Sequence, residues 1–514
     1  MAIPSLAMIP SGYKDGKVYS VLPSNGDGDF TFSRGSNATR VNKDGLIETM
    51  PLGLGEELVT NGSFTGSATG WALGAGWVYG SNVLDATSTS SVCYQDIAAI
   101  QSGKAYEITY EISNYSGGSI HWRFGGSGTV DGATRNANGT YTESFTNTSS
   151  GDKRLFLSPS GFTGSIDNVS VKEVISGYDT PRLDYTDSSC PSLLLEPQST
   201  NLEDESNGFS AWSSNSNITR TADYIISPDG TQNATRLQFT ANGFCSNKTQ
   251  SLATYTVSCY AKRNDNGTQN VGFFTNGSGV VNSAWDITSE WKRFSYTFPA
   301  LNAGAMGIAG VSGADISVYG FQLEGLVSYP TSYIPTSGST VTRQADVANG
   351  SGNSEVFNDS EGVLFANISA LANDSTLRKI QLNDNTANNN ITIDYYTSSN
   401  SIRANLWNGS SQYSYVYTLT DVTLSTKVAF LYKSSEFKFY VNGIKVNESS
   451  SGSTFSSGTL KSLDLSTSNG SFPFYGKTKQ VQYYNSVLTD SEIEELTSWE
   501  SFLDMANGQN YTIK

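Results

Sequence analysis

Five residues between positions 407 and 417 have the chemistry of a sugar site. Trp407 and Asn408 close one strand-like run, and Tyr413, Tyr415 and Tyr417 alternate through the next. Sugars stack their C–H faces on aromatic rings and exchange hydrogen bonds with amides, so aromatics beside an asparagine suit them. The competing reading makes these side chains rungs of a sheet core or contacts between chains. His121 and Trp122 form a second candidate pair within SIHWRFGG. On an alternating strand they face opposite ways, so one of the two is expected at the surface. Asp384, Asn385 and Asp394 supply oxygen ligands of the kind calcium takes, although no loop there has a defined calcium spacing.

Catalytic chemistry finds little support. His121 is the only histidine, so a serine triad would have to use it, and a single histidine with four cysteines that form no CxxC pair argues against a tetrahedral zinc site. Hydrolysis of a glycosidic bond takes two facing carboxylates, and no spacing of Asp and Glu picks out a pair. The string Gly125-Gly126-Ser127-Gly128 is a Gly/Ser loop without the strand-to-helix setting of a nucleophile elbow. The chain reads as a binding protein, not an enzyme.

Composition narrows the class further. The chain has 514 residues, 12% aromatic and only 15% charged, with 50 Gly and a net charge of -16. Few charges with many Ser, Thr, Asn, Gly and Tyr favour short strands and tight turns over long helices. Such an acidic chain repels a phosphate backbone, which argues against nucleic-acid binding. The first twenty residues lack a basic stretch followed by an apolar run. No apolar segment approaches the ~20 residues of a membrane span. The expectation is synthesis in a cytoplasm, without a signal peptide or membrane insertion. Cys93, Cys190, Cys245 and Cys259 form no CxxC pair, and Cys259 in YTVSCYAKR reads as a buried small hydrophobe.

These candidate residues need strands to place them, and period-2 patterning supplies the strands throughout. Residues 1–55, with four prolines and irregular apolar spacing, read as an extended arm that needs another domain or chain to order it. Residues 56–175 form a β module with runs AYEITYEIS, SIHWRFGG, TYTESFT, KRLFLS and IDNVSVKEV. Residues 176–202 are a framework segment. Residues 203–327 repeat the plan of the first module: YTVSCYAKRN answers AYEITYEISN, WKRFSYTFPA answers TYTESFT, and ADISVYGFQLEG answers SIDNVSVKEV. Residues 328–350 are a linker broken by Pro330 and Pro335. Residues 351–514 form a last β domain. It carries the hairpin EFKFYVNGIKV with an Asn-Gly turn and a short helix capped by Thr489 or Asp490. The tail SWESFLDMANGQNYTIK reads as an amphipathic helix and a final strand at a chain–chain contact. The fold class is all-β: tandem sandwiches or jelly rolls with an extended N-terminal arm.

Four phrases carry a resemblance: FTFSRGSNATRVNKDGLIE (30–48), PRLDYTDSSCPSLLLEPQSTNL (181–202), SYPTSYIPTSGSTVTRQADVANG (328–350) and VQYYNSVLTDSEIEELTSW (481–499). The first three resemble segments of bacteriophage virion proteins of the fibre or tail-appendage type that end in a concanavalin-like lectin domain, and the fourth resembles the end of laminin-G and concanavalin-like domains. The two β modules resemble carbohydrate-binding-module jelly rolls. In that family the first two phrases are near neighbours, whereas here about 130 residues part them. The first jelly roll therefore reads as an insertion, and the two phrases are expected to meet in space. The resemblance implies a tail or head fibre on a virion, assembled as a homotrimer. Residues 1–55 would join other virion proteins, and host cell-surface polysaccharide would be the ligand. Calcium near Asp384, Asn385 and Asp394 would also fit such a domain. Two further readings stay open: a purely structural decoration protein and a polysaccharide depolymerase.

Overall fold

The computed structural model describes residues 2–50, 53–125, 130–148, 151–175, 177–214, 217–250, 254–265, 270–275, 279–281, 285–298, 304–325 and 327–498. The proposed C-terminal tail and most of the Gly/Ser string lie outside them. The chain divides into two compact units, Met1–Met50 with Tyr178–Lys514, and Pro51–Gly177.

The smaller unit is an eight-stranded antiparallel sheet system organised on two long strands, Ala105–Phe124 and Arg154–Ile175. Register shifts at Ser113, Gly117 and Ser119 break their pairing midway, which bends both strands. Gly118 makes this possible: it sits at φ +71, and an added Cβ would lie 2.1 Å from the Gly161 carbonyl oxygen. Alternating side chains such as Tyr106, Ile108, Tyr110 and Ile112 face a core that also holds Trp71, Trp77 and Trp122.

In the larger unit, residues 203–325 form two five-stranded sheets over a core of Trp212, Phe273, Trp285 and Phe321. Tyr255–Arg263 lies between Lys292–Phe298 and Asp315–Gly325. Ala105–Phe124 likewise lies between Gly139–Thr146 and Arg154–Ile175, so the matched phrases occupy matched positions.

The C-terminal sandwich packs an eight-stranded sheet on a five-stranded one. The five-stranded sheet runs Ser411–Thr418, Ser401–Asn408, Asn389–Tyr395, Arg378–Asn383, Ser462–Asp464. The larger sheet is completed from far up the chain: Leu6–Met8 and Ser192–Leu195 both pair with Gly476–Tyr484. Leu6, Met8, Val18, Phe30 and Phe32 are buried in the same core as Ile391 and Phe439. The N-terminal segment is therefore ordered by this sandwich, whose apolar face it covers. The hairpin turn has Asn442 at φ 48 and Gly443 at φ 80, the two positive angles of a type I′ turn. Thr489 caps the helix Asp490–Thr497: its hydroxyl accepts from Glu492 N at 3.3 Å, and the Glu492 carboxylate accepts from Thr489 N at 3.0 Å. Asp490 instead binds Lys438 and Lys445.

The two separated phrases meet. Tyr185 N donates to the Val41 carbonyl at 3.0 Å, and Val41 N donates to Asp184 at 3.1 Å. Beneath them lies a buried ion network drawn from the phrases themselves. Arg182 binds Glu196 at 2.6 Å and also Asp346, Arg343 binds Glu196 at 2.5 Å, and Arg34 binds Asp346 at 3.3 Å. All five side chains are at most 4% exposed. Burial pulls the Arg34 guanidinium down to about 10, Asp346 opposes this, and Arg182 and Arg343 add to it. Glu196 is held well below the usual carboxylate range: burial opposes this, and the two arginines outweigh it.

Candidate functional site

Strand alternation gives the five-stranded C-terminal sheet two unlike faces. Ile380, Leu382, Ile391, Ile393, Ile402, Ala404 and Leu406 turn into the core. The residues between them turn the other way, and every one is polar or aromatic. Pairing aligns them in three rungs across three strands: Asn383, Asn390 and Trp407; Gln381, Thr392 and Asn405; Lys379, Asp394 and Arg403.

Hydrogen bonds knit this outward face. Asn383 donates to Asp464 at 2.8 Å, Gln381 accepts from Ser468 N at 3.0 Å, and Thr392 donates to Asn390 at 3.1 Å. Arg403 binds Asp394 at 2.9 Å and lies 4.4 Å over the Tyr396 ring. Burial raises the Asp394 carboxyl to about 6, against the opposing pull of Arg403 and Lys379. At one end of the first rung Trp407 is 40% exposed. Among described tryptophans it is the most open to solvent; Trp71, Trp77, Trp122, Trp212 and Trp285 are all buried. Most of this ladder is closed to solvent: Gln381, Asn383, Asn390, Thr392 and Asp394 are buried, so a polyhydroxy ligand could reach only Trp407 with half-buried Asn405, Arg403 and Lys379.

Register separates the residues that sequence placed together. Tyr413, Tyr415 and Tyr417 pair with Leu406, Ala404 and Ile402, so all three share the core-facing side. Tyr413 stacks on Phe430 at 4.9 Å and donates to Asn447 at 3.0 Å; Tyr415 and Tyr417 pack on the same core. The expected cluster is corrected accordingly: Trp407 stands on the outward face without the tyrosines. Asn408 is turned to a structural use, donating to the Thr454 carbonyl at 2.6 Å. In the smaller unit Trp122 is 2% exposed and packs on Phe145, which removes it as a sugar platform. His121 takes the other face of that strand, half-buried and opposite Ser158.

The expected calcium ligands do not converge. Lys379 pairs with Asp394 and Asn383 with Asn390, so Asp394 and the turn holding Asp384 lie at opposite ends of a hairpin. Asp384 accepts from Thr386 and Asn389 within its own turn, and Asn385 supplies the left-handed residue at φ 66. Asp394 is committed to Arg403. Among the described residues no three His, Cys, Asp or Glu side chains gather as a metal site.

One aromatic surface escaped the sequence reading. On the second module Phe244 and Phe274 stack at 4.4 Å and 14° beside a groove of about 310 Å³ floored by Ala309 and Gly310. The signal was the doublet Phe273-Phe274. Two consecutive residues of a strand face opposite sides: Phe273 joins the main core, and Phe274, on the other side, is buried against Phe244.

The fold and this face define the class. Residues 365–494 match the model of the Concanavalin A-like lectin/glucanases superfamily, so the chain ends in a concanavalin-like domain. No curated protein matches the chain. Similar solved structures include the CBM22-1–CBM22-2 tandem domain of Paenibacillus barcinonensis Xyn10C, 11% identical over 53% of this chain and 98% of that one, TM-score 0.29. Another is the Ruminococcus gnavus IT-sialidase CBM40 bound to α2,3-sialyllactose, 15% identical over 27% and 84%, TM-score 0.25. A third is domain 4 of AbnA, a GH43 arabinanase of Geobacillus stearothermophilus, with arabinotriose, 14% identical over 30% and 73%, TM-score 0.25. Likeness at this level carries no argument about function.

Proposed function

We propose that this protein attaches non-covalently to host cell-surface polysaccharide, as a fibre or appendage subunit of a bacteriophage particle. The observation that carries the binding reading is Trp407, 40% exposed on the outward face of the C-terminal sheet, with half-buried Asn405 and Arg403 beside it on the same strand. Half-buried Phe244, stacked on buried Phe274 beside a groove, adds a second aromatic contact. Binding without catalysis fits the carboxylates on the main face. Asp394 is tied to Arg403, while Asp464 accepts from Asn383, Ser462 and Gly350 N. Neither is left to act as a facing acid and base. The virion reading rests on the first three phrases, 30–48, 181–202 and 328–350. Ile3, 82% exposed, and Val21, 51% exposed, leave part of the N-terminal segment available to other virion proteins. Assembly as a trimer would multiply weak sites without new contacts.

The test is a glycan array probed with the full chain and with Trp407→Ala. Binding to a host polysaccharide, weakened about tenfold or more in the variant (about 1.4 kcal/mol) with unchanged melting temperature, supports the reading. No retained glycan, or equal retention of uronate-free glycans by both proteins, refutes it. Reducing-sugar release from a bound polysaccharide would overturn the non-catalytic assignment.

A further inference from the structure

A cavity of about 580 Å³ lies where the framework phrases, the second module and the C-terminal sandwich come together in the larger unit. Its size falls within that of small-molecule sites. Thr186 and Asp187 at its rim are exposed, whereas Glu196 in its wall is buried, so it is open on one side and closed below. Its walls carry four tyrosines, Tyr185, Tyr260, Tyr329 and Tyr333, and the hydroxyls of Thr39 and Ser332.

The charges in its walls are not equally satisfied. Arg40 is paired with Glu48 at 2.7 Å, and Lys477 with Asp187 at 2.5 Å and Asp184 at 3.5 Å. Arg293 differs. It lies 5.4 Å over the Tyr260 ring and donates to Ser258 at 2.9 Å. No carboxylate of the described residues is within ion-pair distance of it, and its Nε is buried with no hydrogen-bond partner. Behind Glu196, the ion network sets three guanidinium groups against two carboxylates, leaving one buried positive charge. Glu196 cannot offset Arg293, because its oxygens already accept from Arg182, Arg343 and Ser332.

We propose that this cavity is a second saccharide site, selective for a sugar that carries a carboxylate, such as a hexuronate. The carboxylate would take a guanidinium donor of Arg293 at the cavity wall, a charge-assisted contact. The tyrosine rings would face the pyranose C–H surface. This site shares no residue with the face bearing Trp407, and its charge selectivity sets it apart from that face.

Isothermal titration calorimetry of the full chain with methyl β-glucuronide and methyl β-glucoside tests the assignment. Expected is saturable binding of the glucuronide, at least tenfold tighter than the glucoside. It should be lost in Arg293→Met, partly retained in Arg293→Lys, and unchanged in Trp407→Ala. Equal binding of the two sugars, no glucuronide binding up to 10 mM (on the order of −3 kcal/mol), or undiminished binding by Arg293→Met overturns it. Should Arg293→Met fail to fold, the contrast between the two sugars and the Arg293→Lys result decide. Loss of glucuronide binding in Trp407→Ala would assign the anion to the outer face and refute the cavity site.

Discussion

Glu196→Gln is the most informative single change in the larger unit. The Glu196 carboxylate, itself buried, accepts from Ser332 N at 2.7 Å, Ser332 Oγ at 2.6 Å, Arg182 at 2.6 Å and Arg343 at 2.5 Å. Glutamine keeps the shape. It removes the charge, raising the buried surplus from one positive charge to two, and turns an NH2 group toward donors. Breaking a buried pair by removing one partner costs about 3–5 kcal/mol, because the remaining charge is stranded. The assay is native-state hydrogen exchange resolved by peptide. Protection in 182–195 and 341–349 should fall on the order of a hundred- to several-thousand-fold, at about 1.4 kcal/mol per tenfold. Protection in 105–124, which belongs to the other unit, should stay unchanged. Adding Arg343→Met returns the surplus to one and should recover part of the loss, a coupling that a double-mutant cycle measures. A loss below fivefold in 182–195, or an equal loss in 105–124, would refute the view that this network joins the phrases.

Two further outcomes follow from the same structure. The raised Asp394 carboxyl should titrate near pH 6 in a carbon-detected NMR experiment. Because its folded value lies above its unfolded one, its contribution to stability is fully present below the ordinary carboxylate range and lost as pH rises through about 6. The C-terminal sandwich should therefore gain stability between pH 7 and pH 5, and Asp394→Asn should flatten that gain. Excision of residues 51–177, with a short Gly/Ser link from Met50 to Tyr178, should leave the larger unit folded. Arg34 N already donates to Asp179 at 2.7 Å, and Arg34 also reaches the Thr180 carbonyl at 3.1 Å. Melting of the excised protein with lost protection at 182–195 would count against insertion.

What the sequence alone determined here is what short-range chemistry controls. Alternating apolar residues specify strands whatever they pack against, so the all-β class was legible from runs such as AYEITYEIS. Asn442-Gly443 specifies its own turn because two consecutive positive φ angles suit those residues. Thr489 with Glu492 carries its own cap. Tertiary structure decided everything that depends on register and on distant pairing. A shift of one residue exchanges the faces of a strand, and nothing local shows which face of Ser411–Thr418 meets Phe430. The tyrosines therefore went to the core, and Trp407 was left outside. Arg34, Arg182, Glu196, Arg343 and Asp346 span more than three hundred positions. Each reads alone as a solvated surface charge, and only the folded chain removes water from all five and makes each the partner of another. The cavity holding Arg293 has the same origin, since its walls come from segments that only long-range packing brings together.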